Sequence, residues 1–168
     1  MSSSPFTLRS ATPADVPTVL SFIRELAEYV HEPDAVTATE PVLHAALFGP
    51  EGPVAHAVIA ELGAEPVGFA VYFFNFSTWL GKPGLYLEDL YVRPSARGNG
   101  VGKALLLHLA KIALARGCGR MEWSVLDWNE SAIVFYKSLG AKPQDEATVY
   151  RLTGEALAGI ANLGSDAI

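Results

Sequence analysis

The chain has 168 residues, half of them hydrophobic, and sets 18 acidic against 12 basic side chains for a formal net charge of −6. One domain with a real core fits that length, and the acidic balance argues against nucleic acid and in favour of small cations as partners. Cys118 is the only cysteine, which excludes an internal disulfide and a thiolate metal cage.

The first element in chain order is "FTLRS" at 6–10, a short strand. Thr12 then caps a helix with Pro13 at its first position and Asp15 in its first turn, and Val16, Leu20, Ile23 and Ala27 line one face. A shorter helix follows Thr39. "VAHAVIAEL" (54–62) and "PVGFAVYFFNFS" (66–77), separated by Gly63, Ala64 and Glu65, read as a hairpin. "GLYLEDLYV" (84–92) is a third strand, in which regular alternation puts Leu85, Leu87 and Asp89 on one face and Tyr86, Glu88, Leu90 and Val92 on the other. A carboxylate on each face of a central strand is costly unless it is paired or used.

A helix runs from about 101 to 116 and is ended by Gly117 and Gly119. Its apolar run, interrupted by His108 and Lys111, falls short of the ~20 residues a membrane span requires. "MEWSVL" (121–126) is a strand, "NESAIVFYKSLG" (129–140) a helix capped by Asn129 and stopped by Gly140, and "TVYRL" (148–152) a last strand. The tail has room for one more helix. Strands grouped around helices with a central hairpin imply a mixed α/β sheet. The start of the chain lacks the basic patch and apolar stretch of a secretory signal, so a cytoplasmic setting without membrane contact is expected. His31, His44, His56 and His108 show no metal-ligand spacing, and no metal is expected.

Between the third strand and the long helix lies "RPSARGNGVG" (93–102). A glycine-rich turn that opens a helix gathers free backbone N–H groups at the positive end of the helix dipole, which suits a phosphate. The plain alternative is a strand-to-helix turn whose glycines only solve a packing problem. A P-loop is a poor fit, because Gly102 and Lys103 are followed by Ala104 rather than Ser or Thr. A dinucleotide fold is also poor, because its glycines follow the first strand of a βαβ unit, whereas these follow a hairpin.

Arg-x-x-Gly-x-Gly, here Arg97, Gly100 and Gly102 after "LEDLYVRP", strongly resembles the acetyl-CoA loop of the GNAT superfamily of N-acetyltransferases. The likeness extends from "LRSATPADV" to "VYRL". Within the superfamily, "RELAEY", "NFSTWLGK", "YLEDLYV", "RGNGVG" and "VLDWNESAIVFYKSLGA" look like the diamine acetyltransferase branch, which covers spermidine/spermine and thialysine acetyltransferases. The resemblance implies a GNAT fold: a mostly antiparallel twisted sheet of about six or seven strands flanked by about four helices. It would fill a single domain over 1–168 with flexible ends at 1–4 and about 164–168.

The resemblance also implies roles. Acetyl-CoA would be the co-substrate, its pyrophosphate on the amides of Gly98, Asn99, Gly100, Val101, Gly102 and Lys103 beside Arg97, and its pantetheine arm along Leu90, Tyr91 and Val92. Asn129, Ser131, Ala132 and Tyr136 would complete the cofactor contacts. Tyr136 takes the general-acid position and Glu88 that of an acid that contacts and deprotonates the amine. Tyr29, Glu122, Trp123 and Ser124 would line the amine site with Glu88. Each has a structural alternative: aromatic packing for Tyr136, an ion pair for Glu88 or Asp89, an N-cap for Asn129. Trp79 walls the amine channel or, as the safer reading, packs in the core or against a second subunit.

Polyamine-specific members carry extra acids, and here Val30, Ser77 and Thr148 stand at such positions. A shorter primary amine of the lysine, thialysine or diamine kind is therefore favoured. A homodimer follows from the resemblance and the apolar surplus. Two readings stay beside this one: an acetyltransferase for a protein or peptide amine, and an acyl-CoA sensor without turnover.

Overall fold

The structure, a computed structural model, describes residues 6–163. The expected flexible ends lie outside these residues. The described chain separates into two compact units at Ser124/Val125.

The first unit begins with β1 (Phe6–Ser10), a 3₁₀ turn (Pro13–Asp15) and α1 (Val16–Tyr29). Pro13 stands where a helix start has no use for its missing N–H, and Thr12 donates both its N–H and its hydroxyl to Asp15, at 2.7 and 2.9 Å. Val16, Val19, Leu20, Phe22 and Ala27 are buried along α1, with Ile23 at the margin. A second 3₁₀ turn (Pro33–Ala35) and α2 (Glu40–Phe48) follow, then β2 (His56–Leu62), β3 (Glu65–Ser77) and β4 (Lys82–Val92). A third 3₁₀ turn (Pro94–Ala96) leads to α3 (Val101–Ala115), and β5 (Arg120–Trp123) completes the unit.

The sheet order is β1-β2-β3-β4-β5. The first three pairings are antiparallel, and β5 joins β4 in parallel after the α3 crossover. One face of the sheet packs on α1 and α2 through Val19, Phe22, Leu47, Ala57, Ile59, Phe69 and Tyr91. Phe22 stacks on Phe69 there with ring centroids 5.2 Å apart. The other face carries α3, whose Leu105 and Leu109 are fully buried. Burying two faces is what the apolar surplus of the sequence supports.

The second unit holds α4 (Glu130–Ser138) and α5 (Gly154–Asn162). The Asn129 side chain caps α4 by accepting from the Ala132 N–H at 3.3 Å, and Gly140, with φ of 88°, ends it in the left-handed region. The strand expected at 148–152 is not formed: Val149 and Tyr150 stand exposed and belong to no ladder. An alternating sequence becomes a strand only when an edge is there to receive its N–H and C=O groups, and sequence does not reveal the edge. The sheet accordingly has five strands among the described residues rather than six or seven, and the tail helix raises the helix count to five. Among the described residues, no helix is long and apolar enough to cross a membrane.

Candidate active site

The parallel ladder between β4 and β5 runs from Gly84 opposite Arg120 to Leu87 opposite Trp123, and ends there. At the same level β4 carries a bulge. Val71 faces Asp89 and Tyr72 faces Leu87, so Glu88 is the extra residue. A bulge interrupts pairing and re-aims the side chains beyond it. The regular alternation expected from sequence therefore fails. Leu85 and Leu87 are buried on the α3 face, while Asp89 pairs with Val71 and lies with it and Tyr91 on the α1 face. The bulge has moved Asp89 to the face expected for Glu88.

That face collects further polar groups. Tyr86 and Glu122 are register partners, and the Tyr86 hydroxyl lies 2.9 Å from the Ser124 hydroxyl oxygen. Glu122 is held by Arg120 at 2.8 Å. Trp123, opposite Leu87, belongs to the other face, so the structure brings Glu122 and Ser124 to the Asp89 side and separates Trp123 from them. Glu88 is exposed at the bulge. Burial, and then the charge of Glu88, push the Asp89 carboxyl up to about 6. Among the described residues neither Glu88 nor Asp89 has an ion-pair partner. The pairing alternative for the two acids is therefore not what the fold realises. Two neighbouring carboxylates without a cation, one disfavoured in its charged form, make a place that a cation relieves.

Past the bulge, β4 is paired on one side only. Arg93 donates its N–H to Val67 at 2.9 Å, which fixes the antiparallel alternation. Tyr91 and Arg93 thus direct their backbone groups to β3, and Leu90 and Val92 direct theirs to the open side. Of the three residues expected to pair with an extended ligand, Leu90 presents a backbone donor and acceptor and Val92 a donor, the Val92 carbonyl already accepting from Arg97, whereas Tyr91 contributes a buried ring.

The open edge leads to the glycine loop. Gly98 and Gly100 have φ of 81° and 78°, a region where side chains with a Cβ are strained. Gly102 has ordinary backbone angles, and a Cβ there would meet only a Val92 methyl at 3.9 Å. Its small size leaves open space above the first turn of α3. The first helical bond is from the Ala104 N–H to Gly100, so the N–H groups of Val101, Gly102 and Lys103 have no partner within the helix, and no acid occupies that turn. Asn99 pins the loop by donating to the Ala96 carbonyl at 3.3 Å. Free amides, a positive helix end and a cleared surface together fit a phosphate group.

Two arginines tie this loop to α1. Arg93 forms a bidentate pair with Glu25 at 2.8 and 3.0 Å and lies 4.8 Å above the Phe22 ring. Its guanidinium holds the Glu25 carboxyl below its usual range. Arg97 donates to the Val92 carbonyl at 2.8 Å and lies 4.9 and 5.6 Å from the ring centroids of Tyr29 and Tyr91. Sequence reasoning placed Tyr29 with the amine and missed this contact. The only available signal was the four-residue spacing shared by Glu25 and Tyr29 on α1 and by Arg93 and Arg97 on the loop.

In the second unit, Asn129 accepts hydrogen bonds from the Ala132 N–H and the Ser131 hydroxyl, both at 3.3 Å. Tyr136 is partly buried in α4, with the Phe135 ring 5.5 Å away. Trp79 is 98% exposed beside the exposed Phe76, which removes the core-packing option for it.

The Acetyltransferase (GNAT) family model matches residues 20–141. The chain is 40% identical over 161 residues to the thialysine N-epsilon-acetyltransferase of Bos taurus, covering 89% of this chain and 94% of that one. It is 32% identical to an L-ornithine N5-acetyltransferase of Arabidopsis thaliana, over 93% of this chain and 88% of the relative. An integron cassette protein from the mobile metagenome of V. cholerae superposes with a TM-score of 0.78 at 29% identity, over 95% of this chain and 99% of that structure. Glycine loop, parted strands and the extent of these matches lead to one conclusion: the chain belongs to the GNAT acetyltransferase family and resembles its thialysine N-epsilon-acetyltransferase and spermidine/spermine N(1)-acetyltransferase-like members.

Proposed function

We propose that this acetyltransferase carries acetyl from acetyl-CoA directly to the primary amine of a small cationic substrate of the lysine, thialysine or short diamine kind. The observation that carries the reading is the pair Glu88 and Asp89, unmatched by any cation among the described residues, at the point where β4 parts from β5. A substrate ammonium supplies the missing charge. Relatives named for thialysine and L-ornithine support an amine of that size, and Val30, Ser77 and Thr148 leave fewer acids for a second, distant ammonium.

Acetyl-CoA supplies the activated acyl group. In this reading the amides of residues 98–103 and Arg97 hold its phosphates, and Leu90 and Val92 align its arm. Glu88 binds the ammonium and accepts its proton, leaving a neutral nitrogen to attack. A backbone N–H of the open β4 edge steadies the oxygen that gains charge. Tyr136 gives its phenolic proton to the departing sulfur. Asn129, Ser131 and Ala132 complete the cofactor side, and Tyr29, Glu122 and Ser124 the amine side, with Trp123 left on the opposite face of the sheet.

The reading keeps a single catalytic domain over 1–168, because the family match runs across the boundary between the two units. It includes a cytoplasmic homodimer, for which the exposed Phe76, Trp79 and Leu80 on the β3–β4 hairpin offer an apolar surface.

The test is release of CoA thiol with lysine, thialysine, putrescine, spermidine, an aminoglycoside and a lysine peptide, for wild type and Tyr136→Phe. We expect turnover of a small amine and a loss of about a hundredfold or more in the variant. Turnover of the peptide alone would move the assignment to a protein amine. Saturable acetyl-CoA binding with no turnover would leave a sensor.

A further inference from the structure

The end of α1 and the start of the glycine loop face each other through two rungs. Glu25 and Tyr29 stand one helical turn apart on α1, and Arg93 and Arg97 stand on either side of the 3₁₀ turn Pro94–Ala96. The first rung, Glu25 to Arg93, is a bidentate ion pair fastened further by donation from Arg93 to the Pro66 carbonyl at 3.0 Å. It fixes the distance between helix and loop. The second rung is the Arg97 guanidinium against the Tyr29 and Tyr91 rings.

The position of Arg97 is determined from several sides. Its Nε donates to Val92, the last residue of the open β4 edge. Its guanidinium carbon lies over the Tyr29 and Tyr91 rings. Its two terminal nitrogens make no hydrogen bond among the described residues. An arginine held by two ring contacts and by Nε keeps its terminal nitrogens for a ligand, and a guanidinium fork matches two phosphoryl oxygens. A flexible arginine gives up rotamer freedom when it binds, and one already stacked gives up less. α1 ends just past Tyr29 in a closed turn: the Glu32 backbone N–H donates to the Ala27 carbonyl at 2.8 Å, and His31 takes the left-handed position with φ of 65°.

We propose that Tyr29 is a positioning residue for the acyl carrier: together with Tyr91 it holds Arg97 ready for the carrier's diphosphate. The inference rests on the acetyl-CoA reading above and gives Tyr29 a task on the carrier side in addition to the amine side. The ring is what matters, because the attraction is between a guanidinium and a π face.

The experiment compares wild type, Tyr29→Phe, Tyr29→Leu, Arg97→Leu and the double variant Tyr29→Leu/Arg97→Leu. Calorimetry gives the dissociation constant of CoA without any amine present. Steady-state assays give kcat/KM for acetyl-CoA and for S-acetylpantetheine, which has the same thioester arm without the diphosphate. We expect Tyr29→Leu to raise the CoA dissociation constant about three- to fivefold and to lower kcat/KM for acetyl-CoA relative to acetylpantetheine by the same factor. Tyr29→Phe should stay within about twofold of wild type, and the double variant should bind CoA no worse than Arg97→Leu. An equal loss with both donors, or additive losses in the double variant, would overturn the inference and return Tyr29 to the amine site alone. Wild-type protein without CoA affinity would remove the acetyl-CoA reading, and this inference with it.

Discussion

Asp89→Asn should stabilise the protein at neutral pH and leave it unchanged in acid. The bulge at Glu88 sets Asp89 on the α1 face, where burial and the Glu88 charge raise its carboxyl from 3.8 to about 6. A displacement of that size makes the charged form about 2 to 3 kcal/mol less favourable in the folded protein than in the unfolded chain. The sign follows from proton uptake. Below about pH 3 the group is neutral in both states and costs nothing. Between about pH 3 and 6 the unfolded chain loses its proton first, so folding becomes less favourable as the pH rises, and above pH 6 nearly the full cost is present. Asparagine carries no such cost. Urea unfolding followed by circular dichroism should therefore give a gain of about 2 kcal/mol for Asp89→Asn at pH 8 and almost none at pH 3. In a Glu88→Gln background the gain should shrink, because one of its two causes is gone. A gain of equal size at both pH values, or a loss at pH 8, would refute the reasoning and mean that the Asp89 carboxylate has a structural partner.

The opposite pH signature is expected at Asp15, whose carboxyl the Arg9 guanidinium holds well below the usual range, with 2.7 and 2.8 Å contacts and further donors from Thr12. Asp15→Asn should cost about 2 kcal/mol at pH 7, and in the same urea assay the difference should narrow as the pH falls below about 4, where the unfolded carboxylate takes up its proton. A difference that persists unchanged in acid would assign the loss to packing. Gly68→Ala tests the sheet beside the site: a Cβ there would stand 2.8 Å from the Tyr91 carbonyl oxygen, a backbone atom that cannot turn aside. The midpoint of urea unfolding should fall by the equivalent of about 1–3 kcal/mol, and an unchanged midpoint would mean that β3 and β4 can separate at no cost.

The helix caps follow from local chemistry that a reader of the sequence can apply, whereas the three 3₁₀ turns were not foreseen. Pro13 and Asp15 start α1, Asn129 starts α4, and the glycines at 98 and 100 supply backbone angles that other residues reach only with strain. The glycine loop was legible for the same reason, since unsatisfied amides at a helix start are a property of five or six consecutive residues. Period-two patterning found β1 to β4 within a few residues. It failed at 148–152, which pairs with no strand among the described residues, and β5 proved shorter than its apolar run because its ladder stops at Trp123.

The acid pair shows the limit of such reading. The sequence by itself determined that Glu88 and Asp89 sit at the middle of a central strand just ahead of a glycine-rich turn, and that some use had to be found for their charge. Which face each acid serves was decided by one extra residue in the register between β3 and β4, and register is a relation between strands rather than a property of either. The same holds for Arg97. Its place in the motif can be read from the chain, but the Tyr29 ring comes from a helix 68 residues earlier, brought there by the packing of Phe22 on Phe69 and the Glu25–Arg93 pair. Local backbone chemistry travels with the sequence, whereas the meeting of distant side chains exists only once the core has closed.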